Sequence, residues 1–282
     1  LTALTPYANV QSMLPIIIDA AYRRGRSMDL LTELIRHKPQ QEQLGQAWQS
    51  ALVAMATRIT PQQALLADAQ LARRGESLGL RASFAGAAVE AMEAKTSDDN
   101  PIDPQVASDL YLHYARLMLA SGSSESAWRQ LVKIDPYQDR LTSVQTRRLT
   151  QLRLEVLAAG GDLDKAITQA DLILTMVQAA DGDARLSMLT PVMSIFFNWT
   201  DRSIATRQYD QAHRILMLLR GQYLPFMESD QQQRLTALEQ TVLQARIPPA
   251  SQPEGEGIAN GTSQPTTVPV SNIPVGGPTS QP

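Results

Sequence analysis

The stretch "LASGSSESAWRQL", residues 119–131, has a residue pattern that occurs five times in the chain. Apolar and small residues are followed by a glycine, Gly122, and a small residue, Ala127, comes five positions later. Glycine is favoured just after a helix because the backbone there often takes a positive φ, which disfavours a side chain. We therefore predict a helix–turn–helix junction at Gly122, with Ala127 where the second helix meets the first.

Four further junctions share this design. The offsets from one junction to the next are 50, 47, 39 and 46 residues. Such a recurrence of one helix pair predicts a helical repeat protein. The turn residues are Gly25, Gly75, Gly122, Gly161 and, without a glycine, Arg207. The residues five positions later are Leu30, Leu80, Ala127, Ala166 and Ala212.

Helix signals fill the chain up to about residue 246, whereas strand signals are scarce. Alternation of β-branched residues never lasts for the length of a strand. Helix starts are marked by Thr60 before Pro61 and by Asp103 before Pro104. We predict an all-α fold of about eleven helices, the last one broken near Pro225. The predicted ranges are 7–24, 27–37, 40–58, 61–74, 78–95, 104–121, 124–134, 142–159, 162–180, 183–206 and 208–246.

The junctions resemble those of the tetratricopeptide repeat family. The second helix in that family has a small residue, a large one four later and a small or apolar one three after that, as at Ala127, Leu131 and Ile134. The family also has a small residue seven positions before the turn, and Ala115 fits, whereas the residues at three other such positions do not: Ile18, Asp68 and Leu154. The repeat here is longer than the family's period of about 34 residues.

This resemblance implies an α-solenoid, a right-handed superhelix of antiparallel helix pairs. A non-repeating helical bundle is the alternative, since turns in any bundle use glycine. We assign residues 1–246 to the helical repeat domain. Residues 247–282 hold eight of the 17 prolines and no Lys or Arg. Because such a segment cannot bury enough apolar surface to offset its ordering entropy, we predict a disordered tail or linker there.

Glu125, at the start of the second helix of the 119–131 junction, allows a catalytic interpretation. "ESAW", residues 125–128, resembles the Glu-Ser-Ala-aromatic segment of the soluble lytic transglycosylase family, whose glutamate is a general acid. The Gly-Leu-Met-Gln segment that follows it in that family is missing here. Asp164 and Asp210 occupy the equivalent position in other junctions, where an acid favours the positive end of the helix dipole. We therefore interpret Glu125 as a structural acid, and Trp128 as either a core filler or the edge of a binding surface.

The remaining composition argues against other chemistry. Without cysteine, thiolate metal sites and cysteine nucleophiles are excluded, and His37, His113 and His213 are isolated. The acidic run at residues 97–103 lacks the glycine and glutamate of a calcium loop. No phosphate-binding motif or serine-nucleophile motif is present. We expect no enzyme activity, no cofactor and no metal.

Charge and hydropathy restrict the kinds of partner. A net charge of −3 gives no long-range attraction to nucleic acid, and no apolar run of about 18 residues predicts a membrane span. We expect no nucleic-acid partner, and association with a membrane only through a larger complex. In the family that the chain resembles, the first helix of each pair lines a concave surface that binds proteins. Carrying those positions over gives eight candidate partner-binding residues: Asp109, Leu112, Arg116, Arg148, Gln151, Glu155, Phe197 and Asp201.

We expect a non-catalytic protein-binding scaffold or adaptor. The absence of cysteine, the four lysines and the Pro/Ser/Thr/Gly-rich tail favour an extracytoplasmic, periplasmic setting in a bacterial envelope-associated or secretion-type assembly. One alternative is a cytoplasmic adaptor or regulator with the same fold. Another is an accessory helical module of a larger, cell-wall-acting enzyme.

Overall fold

The computed structural model of the chain describes residues 10–40, 42–96, 101–178 and 182–246. Within them every regular element is a helix, which confirms the predicted all-α class. The predicted tail, 247–282, lies outside the described residues, as does most of the acidic run at 97–103. The α-helices are α1 (Val10–Arg23), α2 (Ser27–Arg36), α3 (Glu42–Ala56), α4 (Pro61–Arg73), α5 (Leu78–Lys95), α6 (Pro104–Ala120), α7 (Ser124–Val132), α8 (Ser143–Gly160), α9 (Leu163–Gln178), α10 (Gly182–Ala205), α11 (Tyr209–Leu218) and α12 (Ser229–Arg246).

Local signals place these boundaries close to the predicted ones. Thr60 accepts a hydrogen bond from the Gln63 backbone at the start of α4, and Asp103 does the same for Gln105 in α6. The predicted break near Pro225 separates α11 from α12 through a π-helical turn, Leu219–Tyr223, and a 3₁₀ turn, Leu224–Phe226. Proline lacks an N–H and fixes φ, so it fits the start of that second turn.

The five junctions have the predicted backbone conformation. Gly25, Gly75, Gly122 and Gly161 have φ values of 69°, 71°, 85° and 79°. Arg207, at the fifth junction, has a φ of 60° without being a glycine. Five positions further on, the side chain is buried in four of the five cases, and the alanines there are completely buried. The small residues therefore do lie where one helix packs closely on the other.

The helices pack mainly on their neighbours in the chain. Within the described residues, every extensive helix contact joins elements that are adjacent in sequence or one helix apart. The first helices of four successive pairs pack on each other, α4 on α6, α6 on α8 and α8 on α10, whereas in the first pair it is the second helix, α2, that packs on α4. The second helices α5, α7, α9 and α11 make few or no close contacts among themselves. The molecule is therefore held together by a series of local interfaces.

Two large hydrophobic cores lie along this series, beside a small third cluster of Ala82, Ala85 and Leu117. The first core contains buried residues from Leu14 in α1 to Val156 in α8, and the second contains those from Leu154 in α8 to Val242 in α12. Trp128 of α7 is half-buried and packs against both. Of its two predicted roles, core filler matches this position, and the side chain joins one core to the other.

Cationic side chains also tie successive helices together. A helix leaves its last carbonyl groups without intrahelical partners, and a cation there is doubly favourable because it donates a hydrogen bond and faces the negative end of the dipole. Four such carbonyls accept a hydrogen bond from a residue of a later helix or its end. The pairs are Arg74 to Arg36 O (3.1 Å), Lys95 to Thr57 O (3.1 Å), Arg153 to Leu131 O (3.3 Å) and Arg202 to Ala158 O (3.2 Å).

No helix in the described part of the chain combines the length and the apolar character that crossing a membrane requires.

Candidate partner-binding surface

The exposed stripe of α6 contains Asp109, His113 and Arg116. Their spacing of four and three residues places them on one side of the helix. Arg116 is exposed, whereas Asp109 and His113 are half-buried. Leu112 is not part of this stripe, because it is buried in the first core. The candidate surface on α6 is therefore more polar than the sequence predicted.

The exposed stripe of α8 contains the three residues of that helix that were named from the sequence. Arg148 is exposed, and Gln151 and Glu155 are half-buried. The Gln151 side chain donates a hydrogen bond to Glu155 Oε1 at 2.9 Å. Arg148 and Arg116 make no ion pair or hydrogen bond with the described residues, so both guanidinium groups are open to a partner.

The third predicted part of the surface, on α10, differs from the prediction. Phe197 is buried in the second core, and the Arg234 guanidinium of α12 covers its ring at 4.9 Å. Asp201 is exposed, but it pairs with the same Arg234 at 2.6 Å. The exposed residue next to Phe197 is Asn198. The predicted apolar anchor of the surface is therefore absent from it, and the predicted acid already has a partner.

A partly buried hydrogen bond links α6 to α8. Gln145 of α8 donates from its side-chain amide to the backbone carbonyl of Gln105 in α6 at 2.8 Å. Asp109 lies four residues beyond Gln105 in α6, and Arg148 lies three residues beyond Gln145 in α8. Arg116 and Glu155 each follow seven residues further along their own helices.

Along α6 the acid precedes the arginine, whereas along α8 the arginine precedes the acid. No ion pair within 4.0 Å joins Asp109 to Arg148 or Arg116 to Glu155 among the described residues. The surface therefore presents two positive and two negative groups in a crossed arrangement. Six of the eight predicted residues lie on exposed stripes, and the two apolar ones, Leu112 and Phe197, are in the cores. A shift of one position turns a helical side chain by about 100°, which is enough to move it from surface to core.

A buried carboxylate holds one member of the α6 stripe. Asp68 of α4 has a side chain that is only 1% exposed. It accepts two hydrogen bonds from Arg81 of α5, at 3.1 Å from Nε to Oδ1 and 2.6 Å from Nη2 to Oδ2. His113 of α6 contacts it through Nε2 at 2.9 Å. Three successive helices therefore meet at one carboxylate.

The protonation state of this cluster follows from its contacts. Burial raises the pKa of Asp68, but the hydrogen bonds from His113 and Arg81 outweigh it and hold the pKa below its usual value. The carboxylate is therefore ionised near neutral pH and can only accept hydrogen bonds. In the contact with His113, the imidazole Nε2 is therefore the donor and Asp68 Oδ2 the acceptor.

Asp68 is unusual among the equivalent positions of the repeats. The residue seven positions before the turn is buried in all five repeats. In the others this residue is apolar, small or a threonine: Ile18, Ala115, Leu154 and Thr200. In the sequence, Asp68 stands where the tetratricopeptide pattern has a small residue. That departure is the signal from which a buried ion pair could have been predicted. His113 has no nearby histidine in the sequence, and its contact with Asp68 was not predicted.

A second polar cluster lies on the opposite side of α6. The hydroxyl of Tyr111 donates to Glu93 Oε1 at 2.9 Å, and Lys133 donates to the same oxygen at 2.7 Å. Burial first, and then the hydrogen bond to Glu93, raise the pKa of Tyr111. These groups satisfy one another and link α5, α6 and α7.

Glu125 has none of the surroundings of a catalytic acid. Its side chain is 81% exposed in the first turn of α7 and pairs with Arg129 at 2.5 Å. A glutamate works as a general acid when an apolar pocket raises its pKa, and no such pocket surrounds it. Among the described residues, no group of three or more His, Asp or Glu side chains could hold a metal ion.

Comparisons with protein families, curated proteins and solved structures returned no match to this chain.

Proposed function

We propose that the chain is a non-catalytic scaffold that binds a protein partner across α6 and α8. The observation that carries the proposal is the pair of exposed guanidinium groups, Arg116 on α6 and Arg148 on α8, neither of which has a hydrogen bond or ion pair among the described residues. Arg129, by contrast, pairs with Glu125 on its own helix.

The scaffold we propose is a tetratricopeptide-like α-solenoid, a right-handed superhelix of antiparallel helix pairs. Its support is the packing of α4, α6, α8 and α10 on one another, while the second helices of the pairs lie apart. When the helices of one layer lie closer to each other than the helices of the other layer, the stack curves toward the layer with the smaller spacing. The first helices of the pairs would then line the concave side, where solenoids commonly bind their partners.

The chemistry of the surface favours a polar partner segment of mixed charge. Leu112 and Phe197 are in the cores, so the surface offers no large apolar pocket on α6 or α10. Charged groups of both signs alternate between the two helices, which gives specificity through electrostatic complementarity. We expect a partner segment whose own charges match this crossed pattern.

Capture experiments test this proposal. The immobilised chain and its triple variant Arg116→Ala, Arg148→Ala, Glu155→Ala are incubated with native extract, and bound proteins are identified by mass spectrometry. A matched control replaces Glu125, Arg129 and Arg214 on the second helices, which removes the same numbers of each charge. We expect the first triple variant, but not the control, to lose the bound partner without a lower melting temperature. Equal capture by both variants contradicts the proposal.

For the cellular setting we propose an extracytoplasmic, envelope-associated assembly, supported by the composition of the chain. Fractionation of cells that carry the gene, followed by immunodetection, tests this. Detection in the periplasmic or membrane fraction supports the setting, and detection only in the cytosol favours the cytoplasmic adaptor.

A further inference from the structure

We propose that the outer side of α1 docks on an anionic membrane surface. This contact is separate from the surface on α6 and α8 and goes beyond the proposed function. From the sequence alone, membrane association was expected only through a larger complex. Two observations carry the inference, an exposed apolar stripe on α1 and a group of arginines at the end of that helix.

The apolar stripe lies on the side of α1 that faces away from the neighbouring helices. Within the described residues, the extensive contacts of α1 are with α2 and α3, and Leu14 and Ile18 are buried on that inner side. On the outer side Met13, Ile16 and Ala20 are exposed, Ile16 to 69%. Spacings of three and four residues bring these side chains onto one face. The helix therefore has a second apolar face, which is open.

The last described helix, α12, has no comparable face. Its exposed residues are mainly polar, among them Gln232, Gln233, Thr236 and Gln240. The terminal units of stacked helical repeats carry such a polar outer side because it faces water. The outer side of α1 departs from this rule, and contiguous exposed apolar faces mark sites of contact.

The arginines at the C-terminal end of α1 indicate the charge of what is contacted. Arg24 lies four residues beyond Ala20 on the exposed face, and Arg26 follows the turn at Gly25. Both side chains are exposed and make no hydrogen bond or ion pair with the described residues. Two guanidinium groups are therefore available beside the apolar stripe.

The acids of α1 and α2 near this end do not balance its cations. Asp19 is shared by two further arginines, Arg23 at 2.7 Å and Arg58 at 3.7 Å. Asp29 lies in the first turn of α2, and Glu33, one turn later, pairs with Arg36 at 2.6 Å. Together with the two free arginines, four guanidinium groups face two carboxylates among these residues, so the end of α1 favours an anionic contact.

An exposed tyrosine completes the composition of a membrane-contacting surface. Tyr22 is 46% exposed, and the Arg58 guanidinium lies over its ring at 5.1 Å. Tyrosine and arginine side chains suit the boundary between lipid and water because each has an apolar body and a polar end. A helix with apolar residues on one face and arginines beside them binds there by inserting the apolar face among the head groups.

The same charges oppose a second copy of the chain as the occupant. In an antiparallel pair of α1 helices, Arg24 would face the start of the other copy's α1, which is the positive end of its dipole. In a parallel pair, the arginines of the two copies would lie side by side.

A membrane also fits the arginines better than a single helix of another protein does. Arg23 and Arg24 point about 100° apart around α1, and Arg26 lies beyond the turn. A helix laid along the stripe would therefore reach Arg24 alone. A lipid surface extends in two dimensions, so its anionic head groups can contact all three.

Co-sedimentation of the full chain with lipid vesicles tests the inference. One set of vesicles contains equal parts of phosphatidylcholine and phosphatidylglycerol, and a second set of phosphatidylcholine alone is the neutral probe. We expect binding to the mixed vesicles at low ionic strength, weaker binding as salt is added, and none to the neutral vesicles.

A substitution in the stripe tests the apolar part of the contact. Ile16→Glu should lower the affinity for the mixed vesicles by about tenfold, because it removes one inserted side chain. Leu66→Glu, at a 63% exposed leucine of α4, is the matched control and should have little effect. Since both residues are exposed, we expect circular dichroism to show that both variants are folded.

A second substitution tests the charged part. The double variant Arg24→Gln, Arg26→Gln should lower the affinity by about thirtyfold, because each arginine contributes separately to attraction by anionic lipid. The matched control replaces two exposed arginines elsewhere, Arg73→Gln and Arg140→Gln, and should bind like the wild type.

Several results would overturn the inference. They are no binding to the mixed vesicles, equal binding to the neutral ones, or equal losses in Ile16→Glu and Leu66→Glu. A dimer in sedimentation equilibrium that Ile16→Glu dissociates would instead assign the stripe to a second copy. A protein captured from native extract and lost only in Ile16→Glu, without vesicle binding, would assign it to a protein partner. None of these results touches the scaffold proposal, whose test variants lie on α6 and α8.

Discussion

At the scale of single residues, Arg207 occupies a backbone conformation that the other four junctions give to glycine. A side chain in the left-handed region costs about 1 kcal/mol. Arg207 makes no side-chain hydrogen bond or ion pair with the described residues that would offset this cost. We expect Arg207→Gly to raise the free energy of unfolding by about 1 kcal/mol in urea titrations.

Gly161→Ala is the matched opposite change, because the φ of Gly161 is also positive and no atom would obstruct the added methyl group. It should lower the free energy of unfolding by about 1 kcal/mol. If Arg207→Gly destabilised the chain, the arginine side chain would be contributing a contact that outweighs the backbone cost.

Asp68 is the residue whose charge the fold depends on most. Its folded-state pKa lies below the ordinary value, so the ionised form stabilises the folded chain. That stability is fully present above the unfolded-state pKa of about 3.9 and is lost as the pH falls through the folded-state value. We expect Asp68→Asn to cost about 3 kcal/mol at pH 7, because Arg81 and His113 lose their common counter-charge.

Urea titrations at several pH values measure this loss. The difference between wild type and Asp68→Asn should shrink as the pH falls below about 4. Asp164→Asn is the control, because Asp164 makes an exposed pair with Arg214 and should contribute at most about 1 kcal/mol. A loss in Asp68→Asn that does not change with pH would show that packing, and not charge, is responsible.

The residue scale also shows what a sequence can reveal. The turn glycines were predictable, because a positive φ is a local property that one residue signals by itself. The contact of Asp68 with Arg81 and His113 was not, because those residues lie 13 and 45 positions away and meet only through the register of three helices.

At the scale of helices, the first and last residues could be predicted from local signals. Which side of each helix is exposed could not. Thr60 and Asp103 cap their helices as predicted. Leu112 and Phe197 were placed on the surface because they match positions of a shorter repeat. Here α10 runs over 24 residues, and its exposed side passes through Asn198. Which residue of a helix faces a neighbour depends on packing that a repeat period does not specify.

Gln145 is the side chain that aligns α6 with α8. It completes the cap of α8 with Thr142 and also donates to the Gln105 carbonyl. We expect Gln145→Ala to cost about 2 kcal/mol of unfolding free energy, for one cap contact and one partly buried hydrogen bond. Thr142→Ala removes the cap alone and should cost about 1 kcal/mol. Equal losses in the two variants, measured by urea titration, would mean that the contact with α6 adds no stability.

At the scale of the whole molecule, stability is distributed over local interfaces. The regular recurrence of the junctions predicted this, since stacked repeats contact mainly their neighbours. The division into two cores was not predicted, because the seam at α8 has no distinct sequence signal. The candidate surface spans the boundary between the two cores. Asp109 and Arg116 lie on α6, which contributes to the first core, and Glu155 lies on α8, which contributes to both. A partner bound there would hold the two cores together.

Trp128 should carry much of the coupling between the two cores in the free chain. Phe196→Leu destabilises the second core directly, and hydrogen exchange measured by mass spectrometry reports the local stability of α5 and α10. In the wild-type background we expect this change to lower protection in both helices. Trp128→Ala by itself should cost about 2 kcal/mol of unfolding free energy, since the tryptophan is half-buried. In the Trp128→Ala background, Phe196→Leu should lower the protection from hydrogen exchange only in α10. A loss of protection in α5 that persists without Trp128 would show that α8 alone couples the two cores.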